Sequence, residues 1–254
     1  MASATGPVGF LACGAAGQKE TGGMGLGSTV LALSALGAAV VYGLGFSARE
    51  EKGRAGAGVK TVSTGVLALA VALAGQGGAA WFWLVPLGLA MGALGDLCLA
   101  LKGERLFLAG VGAFGLGHLA YAAGFLLRSG DLGFDGVSPG EGLALAGLLA
   151  LLLSTELWLA PRTGGLRGPV RGYVGLIGLM GAAAVLLPEA PGQGVLRLGA
   201  ALFILSDLML AVEMFVARDP GLRRGLARSL WPAYWAGQAL IGWGALAFWG
   251  VGQG

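Results

Sequence analysis

The sequence predicts an all-α, polytopic membrane protein, built as a bundle of about eight transmembrane helices. Hydrophobic residues make up 56% of the 254 residues and charged residues only 11%, whereas roughly a quarter of the residues in soluble domains are charged. Apolar runs of about 20 residues, the length that crosses a bilayer core, recur along the chain. The 51 glycines lie largely inside these runs. Small residues let membrane helices approach closely, so the glycines favour a tightly packed bundle.

These runs divide the chain into two regions. Residues 1–27 form a tail rich in Gly and Ala, which we expect to be flexible, and Met24 could be the true start of the protein. Residues 28–250 form a single eight-helix transmembrane domain. The two cysteines, Cys13 and Cys98, predict neither a disulfide framework nor a CxxC metal site. The predicted spans are approximately 28–47, 59–76, 79–101, 105–127, 139–160, 169–187, 195–217 and 231–250.

The positions of Lys and Arg predict the orientation, because cytoplasmic loops retain positive charge. All but three of the 16 basic residues fall in or beside the odd-numbered loops, the exceptions being Lys19, Arg128 and Arg197. This asymmetry predicts eight spans with both termini on the non-cytoplasmic side. The net charge of +3 does not indicate nucleic-acid binding, because the basic residues lie in short loops and form no single basic face. The membrane would be the plasma (inner) membrane in a bacterium and an endomembrane in a eukaryote.

Asp207 lies in the middle of an otherwise apolar stretch, residues 199–215. An aspartate at the centre of a membrane helix costs about 2.5 to 3.5 kcal/mol on insertion scales. Ionisable groups inside a membrane therefore indicate function by default. Counting along the other spans puts further polar residues in the same cytoplasmic half, which predicts a polar cavity open to that side. These residues are Lys60, Asp96, His118, Tyr121, Tyr173, Tyr234 and Gln238.

Each of these residues also has a purely structural interpretation. The tyrosines could anchor helices at the membrane interface, Gln238 could link two helices, and Lys60 could merely flank a span. Asp96 and Asp207 could form buried pairs with Lys60 or His118, and His118 could be a hydrogen-bonded core residue. Near the cytoplasmic helix ends, Glu156 and Glu213 are expected to be solvated or paired with loop arginines.

Six short motifs occur in a characteristic order. They are Lys60-Thr-Val, Gly95-Asp96-x-x-Leu, Phe114-x-x-x-His118-x-x-Tyr121, Tyr173-x-x-x-Ile177-x-x-Met180, Phe203-x-x-Ser206-Asp207 and Tyr234-Trp-x-x-Gln238. This order resembles the YhhN or lysoplasmalogenase family of integral membrane hydrolases, over about residues 28–250. Two positions depart from the family pattern: Thr61 stands where members often have Pro, and Trp235 where they often have a second Tyr.

The resemblance implies hydrolysis of the vinyl ether bond of lysoplasmalogens, without a cofactor. The products would be a fatty aldehyde and glycerophosphocholine or glycerophosphoethanolamine. Protonation of the alkene carbon gives an oxocarbenium ion that water captures, so the reaction needs an acid, an anion and a positioned water. We expect one of Asp96 and Asp207 to be the general acid and the other to stabilise the cation and direct water, with His118 as a third catalytic candidate. The candidate substrate-binding residues are Lys60, for the phosphate, and Tyr121, Tyr173, Tyr234 and Gln238, for the glycerol and water.

Three other functional classes are less consistent with the residues. A zinc hydrolase would need about three protein ligands around an open position, and one histidine with two distant aspartates makes a poor site, so no metal is expected. A transporter could use buried Asp, His and Lys as a relay, and a non-catalytic protein could bind lysolipid in the same cavity. The expected partners are a lysophospholipid substrate and membrane lipids, with no nucleic acid. The oligomeric state stays open.

Overall fold

The computed structural model describes residues 25–49, 53–76, 78–101, 103–134 and 136–250. Within these ranges the chain forms eight α-helices and no β-strand. The predicted tail of residues 1–24, with Met24 and Cys13, lies outside the described residues. The helices are α1 (Leu26–Gly45), α2 (Gly53–Ala74), α3 (Leu84–Ala100), α4 (Glu104–Leu132), α5 (Pro139–Trp158), α6 (Arg167–Val185), α7 (Gln193–Phe215) and α8 (Pro220–Phe248).

Several helices extend beyond their predicted ends into polar sequence. The α8 helix begins at Pro220 rather than near residue 231, because the Asp219 carboxylate caps it by accepting a hydrogen bond from the Leu222 amide at 2.7 Å. At the start of α5, Ser138 and Glu141 form a reciprocal capping box. Such caps satisfy amide groups that the first turn leaves without partners. Apolar runs therefore mark the membrane-crossing part of each helix and not its full length.

The chain is a multi-pass integral membrane protein. Seven helices, α1 to α7, are long and apolar enough to cross a membrane by length and composition. The eighth, α8, falls outside that criterion and carries Pro232, Tyr234 and Gln238 in its central part. Both Tyr234 and Gln238 are buried among other helices, so they need not face lipid. The eighth span and the side on which the termini lie stay predictions.

Helices α7 and α8 pack backbone to backbone. A Cβ atom added to Gly199 would lie 2.7 Å from the Ile241 amide nitrogen, and one added to Gly237 would lie 2.9 Å from the Gly199 carbonyl oxygen. Only glycine permits this approach, as is common between membrane helices. The close contact fixes Asp207 on α7 relative to Tyr234 on α8.

The α5 helix lies at the periphery. None of its residues is buried, and it packs chiefly against α6. Leu143 and Leu157 expose 76% and 81% of their surface, as expected for side chains that face lipid. Between α4, α5, α6 and α7 this loose packing leaves an apolar cavity, which is described below.

Candidate active site

The first polar cluster is centred on Asp96 of α3, which is only 1% exposed. The Lys60 Nζ atom lies 2.8 Å from Asp96 Oδ1. Asp96 Oδ2 accepts hydrogen bonds from the hydroxyls of Thr64, at 3.1 Å, and Tyr234, at 3.0 Å. Lys60 and Thr64 are four residues apart on α2 and so face the same way. Three donors, one of them an ammonium, suit a carboxylate anion, because each stabilises negative charge.

A hydrogen-bonded chain extends this cluster across the bundle. Gln238 Nε2 donates to the Tyr234 hydroxyl at 3.3 Å, and the Tyr121 hydroxyl donates to Gln238 Oε1 at 2.5 Å. Gly92 of α3 makes room for the chain, since a Cβ there would lie 2.5 Å from Gln238 Nε2 and 3.0 Å from the Tyr234 hydroxyl. Tyr121 and Gln238 are both fully buried. They are therefore network residues and not interfacial anchors.

The second polar cluster is centred on Asp207 of α7. His118 Nε2 lies 2.9 Å from Asp207 Oδ2, and the two side chains are 0% and 8% exposed. Tyr173 lines the same cavity as Asp207, and its ring centroid lies 5.3 Å from that of His118. His118 Nδ1 is buried and has no hydrogen-bond partner within the described ranges. The pair can thus share or transfer a proton through Nε2.

An aromatic residue connects the two clusters. The ring centroid of Phe203 lies 4.6 Å from that of His118 and 5.4 Å from that of Tyr234. The expectation that Asp96 and Asp207 share one polar cavity is wrong, because the two carboxylates line different cavities. Each carboxylate has a basic partner of its own, which agrees with the alternative that Asp96 and Asp207 form buried pairs with Lys60 and His118.

A polar cavity of about 1160 Å³ reaches Lys60 and Asp96 of the first cluster. It lies where α2 and α4 begin and α3 and α7 end, which is the predicted cytoplasmic end of the bundle. Its lining includes the ion pair of Lys60 and Asp96 and three further charged residues. These three are Arg54, Glu104 and Glu213.

An apolar cavity of about 100 Å³ holds Asp207. It lies between α4, α5, α6 and α7, and its lining is aliphatic and aromatic except for Thr155, Tyr173 and Asp207. The two cavities are adjacent because they share wall residues. The shared residues are Leu99, Phe107, Leu210, Met214 and Phe215.

The two remaining intramembrane glutamates behave differently. The carboxylate of Glu156 accepts hydrogen bonds from the Arg171 guanidinium, one of them at 2.8 Å, which confirms the predicted pairing. Glu213 is half-buried on the last turn of α7 and lines the polar cavity. Among the described residues it has no hydrogen-bond or ion-pair partner. That Glu213 is solvated or paired with a loop arginine stays a prediction, and the structure adds that the last turn of α7 faces the polar cavity.

Two further cavity-related residues were not foreseen. Thr64 donates to Asp96, and its position one turn after Lys60 could have indicated this. Tyr42 of α1 lines the polar cavity and packs against Trp231, with ring centroids 4.4 Å apart. No pattern within the first span points to it.

Comparison with known proteins finds similarity to a curated bovine protein. The bovine (Bos taurus) protein named "Lysoplasmalogenase TMEM86A" is 32% identical over 163 residues, which make up 61% of this chain and 61% of the relative. The match thus covers less than two thirds of either protein. No solved structure matches the chain significantly.

The described residues contain no group of three or more His, Cys, Asp or Glu side chains arranged to hold a metal ion. The comparison with protein families agrees with the order of the six sequence motifs. The model of the YhhN family matches residues 56–245, a range that includes Lys60, Asp96, His118, Asp207 and Gln238. The chain therefore belongs to the YhhN family.

Proposed function

We propose that this protein is a membrane-embedded hydrolase that cleaves the vinyl ether bond of lysoplasmalogens. The observation that carries the proposal is the position of the pair of Asp207 and His118 in an apolar cavity. That cavity shares a wall with a polar cavity that contains the pair of Lys60 and Asp96. Two such adjacent cavities match in polarity the tail and the headgroup of an amphiphilic substrate whose reactive bond lies between them.

The name of the bovine relative supports the same activity. In the proposed binding mode the alkenyl chain enters the apolar cavity between α5, α6 and α7, and the glycerophosphate lies in the polar cavity. Arg54 and Lys60 supply positive charge for the phosphate there. The vinyl ether then lies near the shared wall, close to Asp207.

We assign the acid to the pair of Asp207 and His118, and the anion to Asp96. Separated charges on a carboxylate and an imidazolium are costly in apolar surroundings. A proton shared between the two groups is therefore available for transfer. Asp96 is surrounded by donors from Lys60 and Tyr234, which suits a group that stays anionic. The two carboxylates thus have different roles because their partners differ.

The reaction then proceeds in three steps. The acid protonates the alkene carbon farther from the ether oxygen, which leaves an oxocarbenium ion at the other alkene carbon. Water adds to that carbon and loses a proton to the anionic site, forming a hemiacetal. The hemiacetal hydroxyl loses its proton as the bond to the glycerol oxygen breaks, and the glycerol oxygen takes up a proton. The proton left on the anionic site returns to the acid and closes the cycle. The products are a fatty aldehyde and a glycerophospho-alcohol, and no redox partner is required.

The test is incubation of the purified protein with a lysoplasmenyl lipid and measurement of fatty aldehyde. We expect aldehyde and glycerophospho-alcohol in equal amounts, and no release from the lysolipid with a saturated alkyl ether. Binding of the lipid without aldehyde would identify a non-catalytic lipid-binding protein. Uptake of solute into vesicles without product would identify a transporter, and either result would overturn the proposal.

A further inference from the structure

Glu213 is a carboxylate in the polar cavity that the proposed reaction does not use. It is half-buried, lines the cavity together with Lys60 and Asp96, and has no hydrogen-bond or ion-pair partner among the described residues. A carboxylate that faces a cavity offers acceptor oxygens to whatever the cavity binds. A ligand that carries a cation would pair with it.

The position of Glu213 on α7 separates it from the reacting group. Six residues after Asp207 correspond to about 9 Å along the helix and about 120° around it. Leu210 and Met214, which lie between these directions, line both cavities. One helix therefore presents Asp207 to the apolar cavity and Glu213 to the polar cavity. The carboxylate of Glu213 lies on the headgroup side of the shared wall.

Charges of both signs line the cavity around Glu213. Lys60 and Tyr42 are close enough to interact with it electrostatically. Lys60 already binds Asp96, and Arg54 is the other cation in the lining among the described residues. Two cations and a second carboxylate, which has no hydrogen bond to any described residue, make the cavity complementary to a zwitterion.

We propose that Glu213 binds the ammonium group of the substrate headgroup, so that the polar cavity selects lysolipids that end in an amine over those that end in a phosphate. This rests on the proposed function. A primary ammonium can donate charge-assisted hydrogen bonds to the carboxylate, whereas a trimethylammonium offers only its charge. The aromatic rings of Tyr42 and Trp231 are 2% and 3% exposed, so they present too little surface to enclose a trimethylammonium group. The inferred headgroup is therefore of the ethanolamine type.

The test measures binding of non-hydrolysable lysolipids that share one saturated 1-O-alkyl chain. The headgroups are phosphoethanolamine, phosphocholine and a bare phosphate, and the proteins are the wild type, Glu213→Gln, Glu213→Asp and Glu104→Gln. For the wild type we expect the phosphoethanolamine lipid to bind about tenfold more tightly than the bare phosphate, which corresponds to roughly 1.4 kcal/mol. Glu213→Gln should lower this affinity ratio to about one, and Glu213→Asp should give an intermediate ratio. The exposed Glu104 lines the same cavity, and its substitution should leave the ratio unchanged.

Three outcomes would overturn the inference. They are a wild-type ratio near one, an equal loss of affinity for all three lipids in Glu213→Gln, and a loss of the ratio in Glu104→Gln as well. Because binding is measured without turnover, these outcomes are independent of the aldehyde assay. A protein that discriminates headgroups but releases no aldehyde would refute the proposed function, and only the binding of the ammonium group by Glu213 would stand.

Discussion

The imidazole of His118 on α4 lies 2.9 Å from the carboxylate of Asp207 on α7. This contact accounts for a charged group in the middle of an apolar helix, since a buried carboxylate persists where a donor or cation accompanies it. Elsewhere α4 and α7 pack little against each other, so the pair bridges two helices across the apolar cavity. Its remaining imidazole nitrogen, Nδ1, has no partner among the described residues.

Asp207→Asn should lower the rate of aldehyde release by about 100-fold or more, since a positioned acid typically contributes 10²- to 10⁴-fold. The amide keeps the size of the side chain but carries no transferable proton. The measurement is kcat with a lysoplasmenyl lipid, combined with a thermal unfolding curve in detergent. Asp131→Asn, at an exposed position on α4, is the matched control and should retain full activity. Near-normal turnover in Asp207→Asn would refute the acid assignment.

Lys60→Met should destabilise the protein by about 3 kcal/mol, because it leaves the Asp96 carboxylate buried without its cation. The double variant Lys60→Met with Asp96→Asn should recover part of that loss, since the uncompensated charge is then removed. A double-mutant cycle based on denaturant unfolding measures the coupling. Additive effects of the two substitutions would show that the short contact contributes little energy.

Much of the helical framework is predictable from the sequence, because apolar runs of membrane-crossing length can be read directly. The pairing of Tyr234 with Gln238 follows from their spacing of one turn. Depth in the membrane can also be counted at about 1.5 Å per residue, and it places Asp96 and Asp207 in the same half. Rotation of each helix and the choice of its neighbours cannot be counted in this way. They depend on close contacts such as that between Gly199 and Ile241.

Because helix rotation cannot be counted from the sequence, a single cavity was predicted where the structure has two adjacent cavities. Asp96 and Asp207 are predicted to lie in the same half of the membrane, but α3 turns Asp96 toward α2 and α8, while α7 turns Asp207 toward α4. The surroundings of Glu213 depend on rotation in the same way. It lies near the end of α7, and its direction around the helix brings it into the polar cavity.

Gly92→Ala should lower activity severalfold with little effect on the helix itself. The added methyl group would lie 2.5 Å from Gln238 Nε2 and 3.0 Å from the Tyr234 hydroxyl, so one of these must move and the hydrogen bond to Asp96 weakens. Alanine is otherwise the better helix residue by roughly 1 kcal/mol. Gly112→Ala on α4, where a Cβ meets no atom within 4 Å, should be neutral or stabilising. Equal activity in the two variants would show that the network does not depend on the room that Gly92 provides.

Ala211→Phe should shift the preference of the enzyme toward shorter alkenyl chains. Ala211 lines the apolar cavity one turn beyond Asp207, and a benzyl group there would occupy space that the proposed binding mode gives to the chain. The measurement is kcat/KM for lysoplasmenyl lipids of increasing chain length, with Ala201→Phe at an exposed position on α7 as the control. We expect a loss that grows with chain length, because a longer chain gives up more buried apolar surface when part of the cavity is filled. An equal loss at every length would mean that Ala211→Phe disturbs Asp207 itself, and the alkenyl chain would then have to bind elsewhere.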